Sequence, residues 1–300
     1  MSAGENAAAM LAELFTIVAP VFICAGLGFG WSRLGRVYDT EQTTALVTTI
    51  GAPCLAFHTL ANLSVGVAQL GSMAAIAATA IVSCALAGAV VLRLARLPAR
   101  TFLPSLMFGN TGNMGLPLAY LAFGDAGLQL AIGVFVVHSI TMFTVGAALA
   151  SGRLSLAGLA RIPLLYAVAA ALAFMVSGLR PPTWLNATTE LLGGITIPLM
   201  LFTLGTSLAR LRVAHLKLSA ALAAVRLILG FAVALGLVTV LSVEGPARGV
   251  LILQLSMPVA VFNYLFAQRY GQRPAEVAAV VVLSTALSFV TLPVLLWYVL

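Results

Sequence analysis

The stretch Gly109-Asn110-Thr111-Gly112-Asn113-Met114-Gly115-Leu116-Pro117 interrupts an apolar segment that is long enough to span a bilayer. An intact membrane helix avoids such residues, because glycine loosens a helical turn and proline removes a backbone donor. Irregular backbone survives at membrane depth only where it faces protein or a water-filled cavity. A break near the middle of the membrane is therefore typical of the binding site of a transporter.

A second apolar segment, Gln254-Leu255-Ser256-Met257-Pro258, has the same pattern. Gln254 precedes its proline by four residues, as Asn113 precedes Pro117. The prolines also recur at offsets of 143, 145 and 141 residues, in the pairs Pro20 with Pro163, Pro53 with Pro198, and Pro117 with Pro258. This recurrence indicates a chain built from two related halves.

The composition places the chain in a membrane. Hydrophobic residues make up 62% of it and charged residues only 8%, which excludes a soluble globular protein. The net charge is +7, but the basic residues are scattered among loops, so no nucleic-acid surface is expected. Cys24, Cys54 and Cys84 fall inside predicted spans, where cysteine behaves as a small apolar residue, and we expect neither a metal site nor a cofactor.

Turn and charge signals divide the chain into apolar segments of about 20 residues, the length that a spanning helix needs. The ten predicted spans lie near 11–32, 40–61, 68–92, 101–123, 127–150, 161–179, 186–209, 217–242, 247–268 and 275–300. The sequence therefore predicts an all-α membrane protein with short loops and no separate extramembrane domain.

The distribution of basic residues predicts the orientation of these spans. The odd-numbered loops hold twelve arginine and lysine residues, whereas the even-numbered loops hold only Arg180 and Arg248. Basic loops stay on the cytosolic side, so both termini should face outward. In a bacterial inner membrane, this is the periplasmic side. Five spans in each half is an odd number. The second half, 151–300, must then be inverted relative to the first, 1–150, as in many secondary transporters.

With GNTGNMGLPL in span 4 and a proline-broken span 9, the chain resembles the auxin efflux carrier family over essentially its whole length. The resemblance implies the fold of sodium/proton antiporters and bile acid symporters, in which spans 4 and 9 cross at their prolines. It also implies a scaffold of spans 1, 2, 6 and 7, dimeric through spans 2 and 7, and a mobile transport domain of spans 3–5 and 8–10. The implied substrates are small organic anions such as malate, malonate or auxin-like acids, carried by an elevator mechanism.

The amides of the two breaks are the candidate substrate ligands. Asn110, Asn113 and Pro117 share one helical face, and Gln254 and Pro258 are one turn apart. If the breaks cross, Asn113 and Gln254 come near each other, and the N–H groups freed at half-helix N-termini can bind a carboxylate. The alternative is that these amides only cap the broken ends. Thr111 and Asn263 complete the predicted site.

Two titratable residues in predicted spans are candidates for charge or proton coupling. Arg226 lies deep in span 8, where it could neutralise an anionic substrate or instead serve a structural role. His138 in span 5 could carry a proton, or it could be a hydrogen-bonded core histidine.

Other functional classes are less compatible with the sequence. No acidic residue lies in the middle of a span, which argues against a sodium/proton exchanger, and a sodium site would have to use neutral ligands from Thr111, Gln254 and Asn263. The sequence has no His/Glu/Asp or Ser/Lys cluster at helical spacing, so we expect no enzymatic activity. The remaining rival is a sodium-coupled symporter of larger amphipathic acids such as bile acids.

Overall fold

The computed structural model of the protein describes residues 3–62, 67–153, 162–210 and 215–300, which are mostly helical and contain no strand. This confirms the all-α prediction. The α-helices, in chain order, are α1 (Ala3–Arg33), α2 (Thr40–Leu46), α3 (Ala52–Ala61), α4 (Val67–Leu94), α5 (Ala99–Met107), α6 (Leu116–Thr141), α7 (Ala147–Ser151), α8 (Pro163–Ser177), α9 (Thr183–Gly194), α10 (Thr196–Arg210), α11 (Leu216–Val240), α12 (Gly245–Leu255), α13 (Val261–Arg269) and α14 (Pro274–Val299).

The described residues include three short π-helical segments, each of which continues directly into an α-helix. They are Val47–Gly51 between α2 and α3, Thr111–Gly115 before α6, and Met142–Gly146 between α6 and α7. A π-helical turn inserts an extra residue into the helical register and therefore turns the side chains that follow.

In the part of the chain that the structure describes, seven stretches are apolar and long enough to cross a membrane: Phe15–Arg33, Thr40–Ala61, Ala68–Leu94, Thr111–Ser151, Thr183–Arg210, Leu216–Val240 and Pro274–Val299. Many of their large apolar side chains are exposed on the outside of the fold, as expected where lipid is the solvent. The protein is therefore a multi-pass membrane protein. Arg161 and Arg212, two of the twelve loop cations, lie outside the described residues.

The stretch Thr111–Ser151 is too long for one crossing. Its 41 residues would extend about 60 Å as a straight helix, twice the hydrocarbon thickness of a bilayer. Gly124 interrupts it with φ 63° and ψ −156°, a conformation that favours glycine. The interruption lies at the predicted Gly124-Asp125 loop and divides the stretch into two shorter helical parts.

Helix α1 packs very closely on α10. A side chain at Gly28 would collide with the Phe202 backbone, and one at Gly205 would collide with the Ala25 backbone. Small residues allow this approach, which supplies the packing that holds helices together in a membrane. The helices pair further as α3 with α8 and α9, α4 with α5 and α6, α6 with α12, and α11 with α14.

Candidate functional site

The two sequence breaks meet as a short antiparallel pair. Gly109 lies opposite Val259, the Asn110 N–H donates to the Pro258 carbonyl at 2.6 Å, and the Ala260 N–H donates to the Phe108 carbonyl at 3.1 Å. Buried backbone groups must find partners inside the protein, and each break supplies those that the other lacks. The two broken segments therefore meet in the structure, and this paired region, the crossing, is centred on Gly109 and Val259 and not on both prolines.

Side chains complete the backbone pairing at the second break. The Val259 N–H donates to Ser284 Oγ at 3.1 Å, and Asn263 Nδ2 donates to the Phe108 carbonyl at 3.0 Å. A side chain at Gly109 would collide with the Arg226 guanidinium and crowd the Met257 carbonyl. Glycine at this position is thus required by packing against another helix.

Arg226 donates hydrogen bonds to the C-terminal ends of α5 and α12, the two helices that precede the crossing. Its side chain is buried and donates to the carbonyls of Leu106 and Leu255, each at 3.0 Å, and to that of Met257 at 3.3 Å. Leu106 and Leu255 lie in the last turns of α5 and α12, where unpaired carbonyls carry partial negative charge. These contacts support the structural interpretation of Arg226, and neither ion pair of the described residues involves it.

The opposite polarity is found where the chain leaves the crossing. The π-helical segment Thr111–Gly115 leads into α6, and α13 begins at Val261, so two helix N-termini start at the paired breaks. Their first N–H groups have no acceptor one turn earlier and carry partial positive charge. The crossing therefore separates two negative helix ends, bound by Arg226, from two positive ends that are suited to an anion.

A cavity of about 60 Å³ lies at these positive ends. The first break lines it from Gly109 to Asn113, and the second break contributes Ala260 and Phe262. All three π-helical segments of the described chain line this cavity: the first through Thr48, the second as part of the first break, and the third through Met142 and Phe143. The remaining lining residues are Ala52, Phe135, Ser139, Ile162, Leu164 and Met200.

The structure separates the predicted site residues into two groups. Asn110, Thr111 and Asn113 line the cavity, the first two buried and Asn113 half-buried. Gln254, Asn263, Pro117 and Pro258 are buried and do not line it.

The two buried amides that lie off the cavity differ in their partners. The Gln254 amide is packed against Gly115 and finds no hydrogen-bond partner among the described residues. Asn263 instead ties its own helix to the Phe108 carbonyl, so it belongs to the framework of the crossing.

His138 is buried beside the crossing and does not line the cavity. Its ring meets the Phe108 ring edge-on, with centroids 5.3 Å apart, and lies close to the Gly109 backbone. Its neighbour Ser139 does line the cavity, a residue that the sequence pattern did not indicate.

Sequence reasoning also missed the apolar wall of the cavity. Phe135, Met142, Phe143 and Phe262 line it, and residue type does not indicate this role, because phenylalanine and methionine also occur as packing residues in membrane spans. The close approach of Phe135 to Gly112 is visible only in the structure.

Comparison with known proteins agrees with this architecture. The profile of a family described as membrane transport proteins matches the chain twice, over residues 13–156 and 149–296. The chain belongs to this membrane transport protein family. This confirms the resemblance to the auxin efflux carriers, and the two matches correspond to the two halves predicted from the proline offsets.

A curated relative of this transport protein is an uncharacterized transporter of Methanocaldococcus jannaschii. The two sequences are 26% identical over 205 residues, a match that covers 65% of this chain and 66% of the relative. The name of the archaeal protein describes it as a transporter and gives no substrate.

Proposed function

We propose that this protein is a secondary active transporter of small organic anions and that the anion binds in the cavity beside the crossed breaks. The observation that carries the proposal is the convergence of two helix N-termini and the side chains of Asn110 and Asn113 on one cavity. A carboxylate there would accept hydrogen bonds from N–H groups and amides without needing a buried cation.

The proposed topology has ten spans in two inverted halves. Seven helical stretches already meet the length and hydropathy of a span. Three more spans bring the count to ten. The 15-residue α8 is one, the broken pair α12 and α13 together form another, and dividing Thr111–Ser151 at Gly124 gives the third. Both termini would then lie on the periplasmic side of an inner membrane.

The position of the cavity supports an elevator mechanism. Thr48, Leu164 and Met200 line it from the proposed scaffold, whereas Asn113, Phe143 and Phe262 line it from the proposed transport domain. Within the scaffold, α1 packs on α10 and α3 packs on α8, and within the transport domain α11 packs on α14 and α6 on α12. A substrate between two such groups would be carried when one slides against the other. The proposed homodimer would form through the scaffold helices of spans 2 and 7.

The size of the cavity favours small acids over the rival substrates. Pockets for drug-sized ligands measure roughly 300–1,000 Å³, whereas this one measures about 60 Å³. A bile acid would require the cavity to open several-fold, while a short carboxylate with a small apolar part would need far less rearrangement beside Phe135 and Phe262.

Uptake by proteoliposomes tests the proposal. The purified protein would be reconstituted and preloaded with malate, malonate or an aromatic acetic acid, and exchange of the radiolabelled acid would be measured with and without sodium. Exchange of one of these acids without sodium supports the proposal. Exchange of bile acids alone, and only with sodium, would favour the rival, and no exchange of either class would contradict both.

A further inference from the structure

A second cavity, of about 590 Å³ and widely open to solvent, lies on the surface where α1 ends beside the end of α10. Arg33 lines it from the last turn of α1, Arg36 from the loop that follows, and Arg210 from the last turn of α10. Three arginines face one acidic lining residue, Asp39. The cavity has no part in the proposed transport site, which involves other residues.

The wall of this cavity is held in place by Arg210 and Tyr38. Arg210 donates to the Tyr38 carbonyl at 2.6 Å and to Thr40 Oγ1 at 3.3 Å. The Tyr38 hydroxyl shares a hydrogen bond of 2.7 Å with Thr203 Oγ1, and its ring packs against Phe202 with centroids 5.1 Å apart. These contacts hold the loop after α1 against α10.

The other two arginines have no acidic partner within the described residues. The Arg33 guanidinium lies over the Phe29 ring, 5.3 Å from its centroid, and the Arg36 side chain forms neither a hydrogen bond nor an ion pair with another described residue. The Asp39 carboxylate accepts the Gln42 N–H at 2.9 Å and so caps α2. Both free guanidinium groups therefore remain available to an anion.

The surroundings of the cavity are apolar and exposed. Leu34 is 78% exposed and Val37 is 94% exposed, on the same short loop as Arg36, and Trp31 is partly exposed one turn earlier. Apolar side chains beside arginines, with a tryptophan nearby, are typical of residues at the headgroup level of a membrane.

We propose that this cavity binds a phosphate group, carried by the headgroup of an anionic phospholipid. A guanidinium can donate two parallel hydrogen bonds to phosphate, and we expect this of Arg33 at the end of α1 and of Arg36 in the loop that follows. The exposed Leu34 and Val37 would contact the acyl region of the same lipid. A soluble phosphate ester would satisfy the arginines but would leave these apolar side chains in water.

Lipid titration of the purified full-length protein tests this site. Thermal stability in a neutral detergent would be followed against phosphatidylglycerol, phosphatidylcholine and glycerol phosphate. The variant is Arg33→Gln with Arg36→Gln. The matched control is Arg93→Gln with Arg96→Gln, two exposed arginines with the same spacing and the same change of charge.

We expect phosphatidylglycerol, but not phosphatidylcholine, to stabilise the wild type and the control variant. The Arg33/Arg36 variant should need at least about tenfold more phosphatidylglycerol for the same stabilisation. Equal stabilisation by glycerol phosphate would assign the site to a soluble phosphate ester and overturn the lipid assignment. No effect of phosphatidylglycerol, or an equal loss in both double variants, would overturn the site itself. If the double variant does not fold, Arg36→Gln alone provides the same comparison.

Discussion

The Asn110 N–H donates a hydrogen bond of 2.6 Å to the carbonyl of Pro258, which lies 148 residues later in the chain. Each residue belongs to a segment that cannot continue its own helix. The bond therefore joins the two halves at the point where both are broken, and the candidate anion cavity opens beside it. Any change that separates the breaks should affect folding and binding together.

Arg226→Gln should strongly destabilise the protein. The change removes the donors of three buried carbonyls, those of Leu106, Leu255 and Met257, and each unpaired group costs about 1–3 kcal/mol. Arg226→Lys cannot reach three acceptors, because lysine lacks the fork geometry of a guanidinium, so it should also lower the stability. Because lysine keeps the charge, this loss of stability should be smaller than that of Arg226→Gln. Thermal unfolding in detergent measures both.

The control for this prediction is Arg248→Gln, because Arg248 is only half-buried and its partner is the exposed side chain of Tyr298. Its melting temperature should stay close to that of the wild type. If Arg226→Gln were as stable as this control, the structural role assigned to Arg226 would be refuted.

Gly109→Ala should prevent the breaks from closing. A Cβ at this position collides with the Arg226 guanidinium and the Met257 carbonyl, whereas a Cβ at Gly236, on the exposed side of α11, meets nothing within 4 Å. Gly236→Ala should therefore be neutral or raise stability by up to about 1 kcal/mol, the usual gain in a helix interior. Only the melting temperature of Gly109→Ala should fall, and a stable Gly109→Ala variant would contradict the arrangement of the crossing.

Gly205→Ala tests the close contact of α1 and α10. The added methyl group would overlap the Ala25 carbonyl and force the helices apart, at a cost of about 1–3 kcal/mol for overpacking. Gly26→Ala lies one residue from the contact and faces open space, so it serves as the control. Equal melting temperatures for the two variants would show that the helices do not approach this closely.

Much of the fold could be predicted from the sequence, because hydrophobic length and helix-breaking residues are local signals. The breaks at Gly109–Pro117 and Gln254–Pro258, the turn at Gly124 and the two related halves all follow from such signals. The partners of Arg226 could not be predicted, since its acceptors are backbone carbonyls, which leave no trace in residue type.

The candidate site was predictable only in part for a similar reason. Asn110, Thr111 and Asn113 lie within the break that defines the site, and they line the cavity. Thr48, Met142 and Phe143 lie in π-helical segments, where the extra residue per turn shifts side chains away from the 3.6-residue period used to assign faces. Gln254 has the expected spacing, but its side chain is directed against Gly115.

His138→Gln distinguishes a packing role from a coupling role. The ring is buried against Phe108 and does not line the cavity, so we expect a lower melting temperature with little change in the affinity for the transported anion. Affinity and exchange would be measured from acidic to neutral pH. If exchange by the wild type depends on pH and exchange by this variant does not, proton coupling would instead be assigned to His138.

The most direct test of the proposed binding site compares Asn113→Ala with Asn186→Ala. Both asparagines are half-buried, but Asn113 lines the cavity and Asn186 accepts a hydrogen bond from Asn62 far along the chain. Binding of the anion identified by exchange would be titrated calorimetrically. Loss of a hydrogen bond to a charged ligand costs about 1.5–3 kcal/mol, so Asn113→Ala should weaken binding at least about tenfold and Asn186→Ala should not. Unchanged affinity in a folded Asn113→Ala protein would contradict the placement of the substrate beside the crossed breaks.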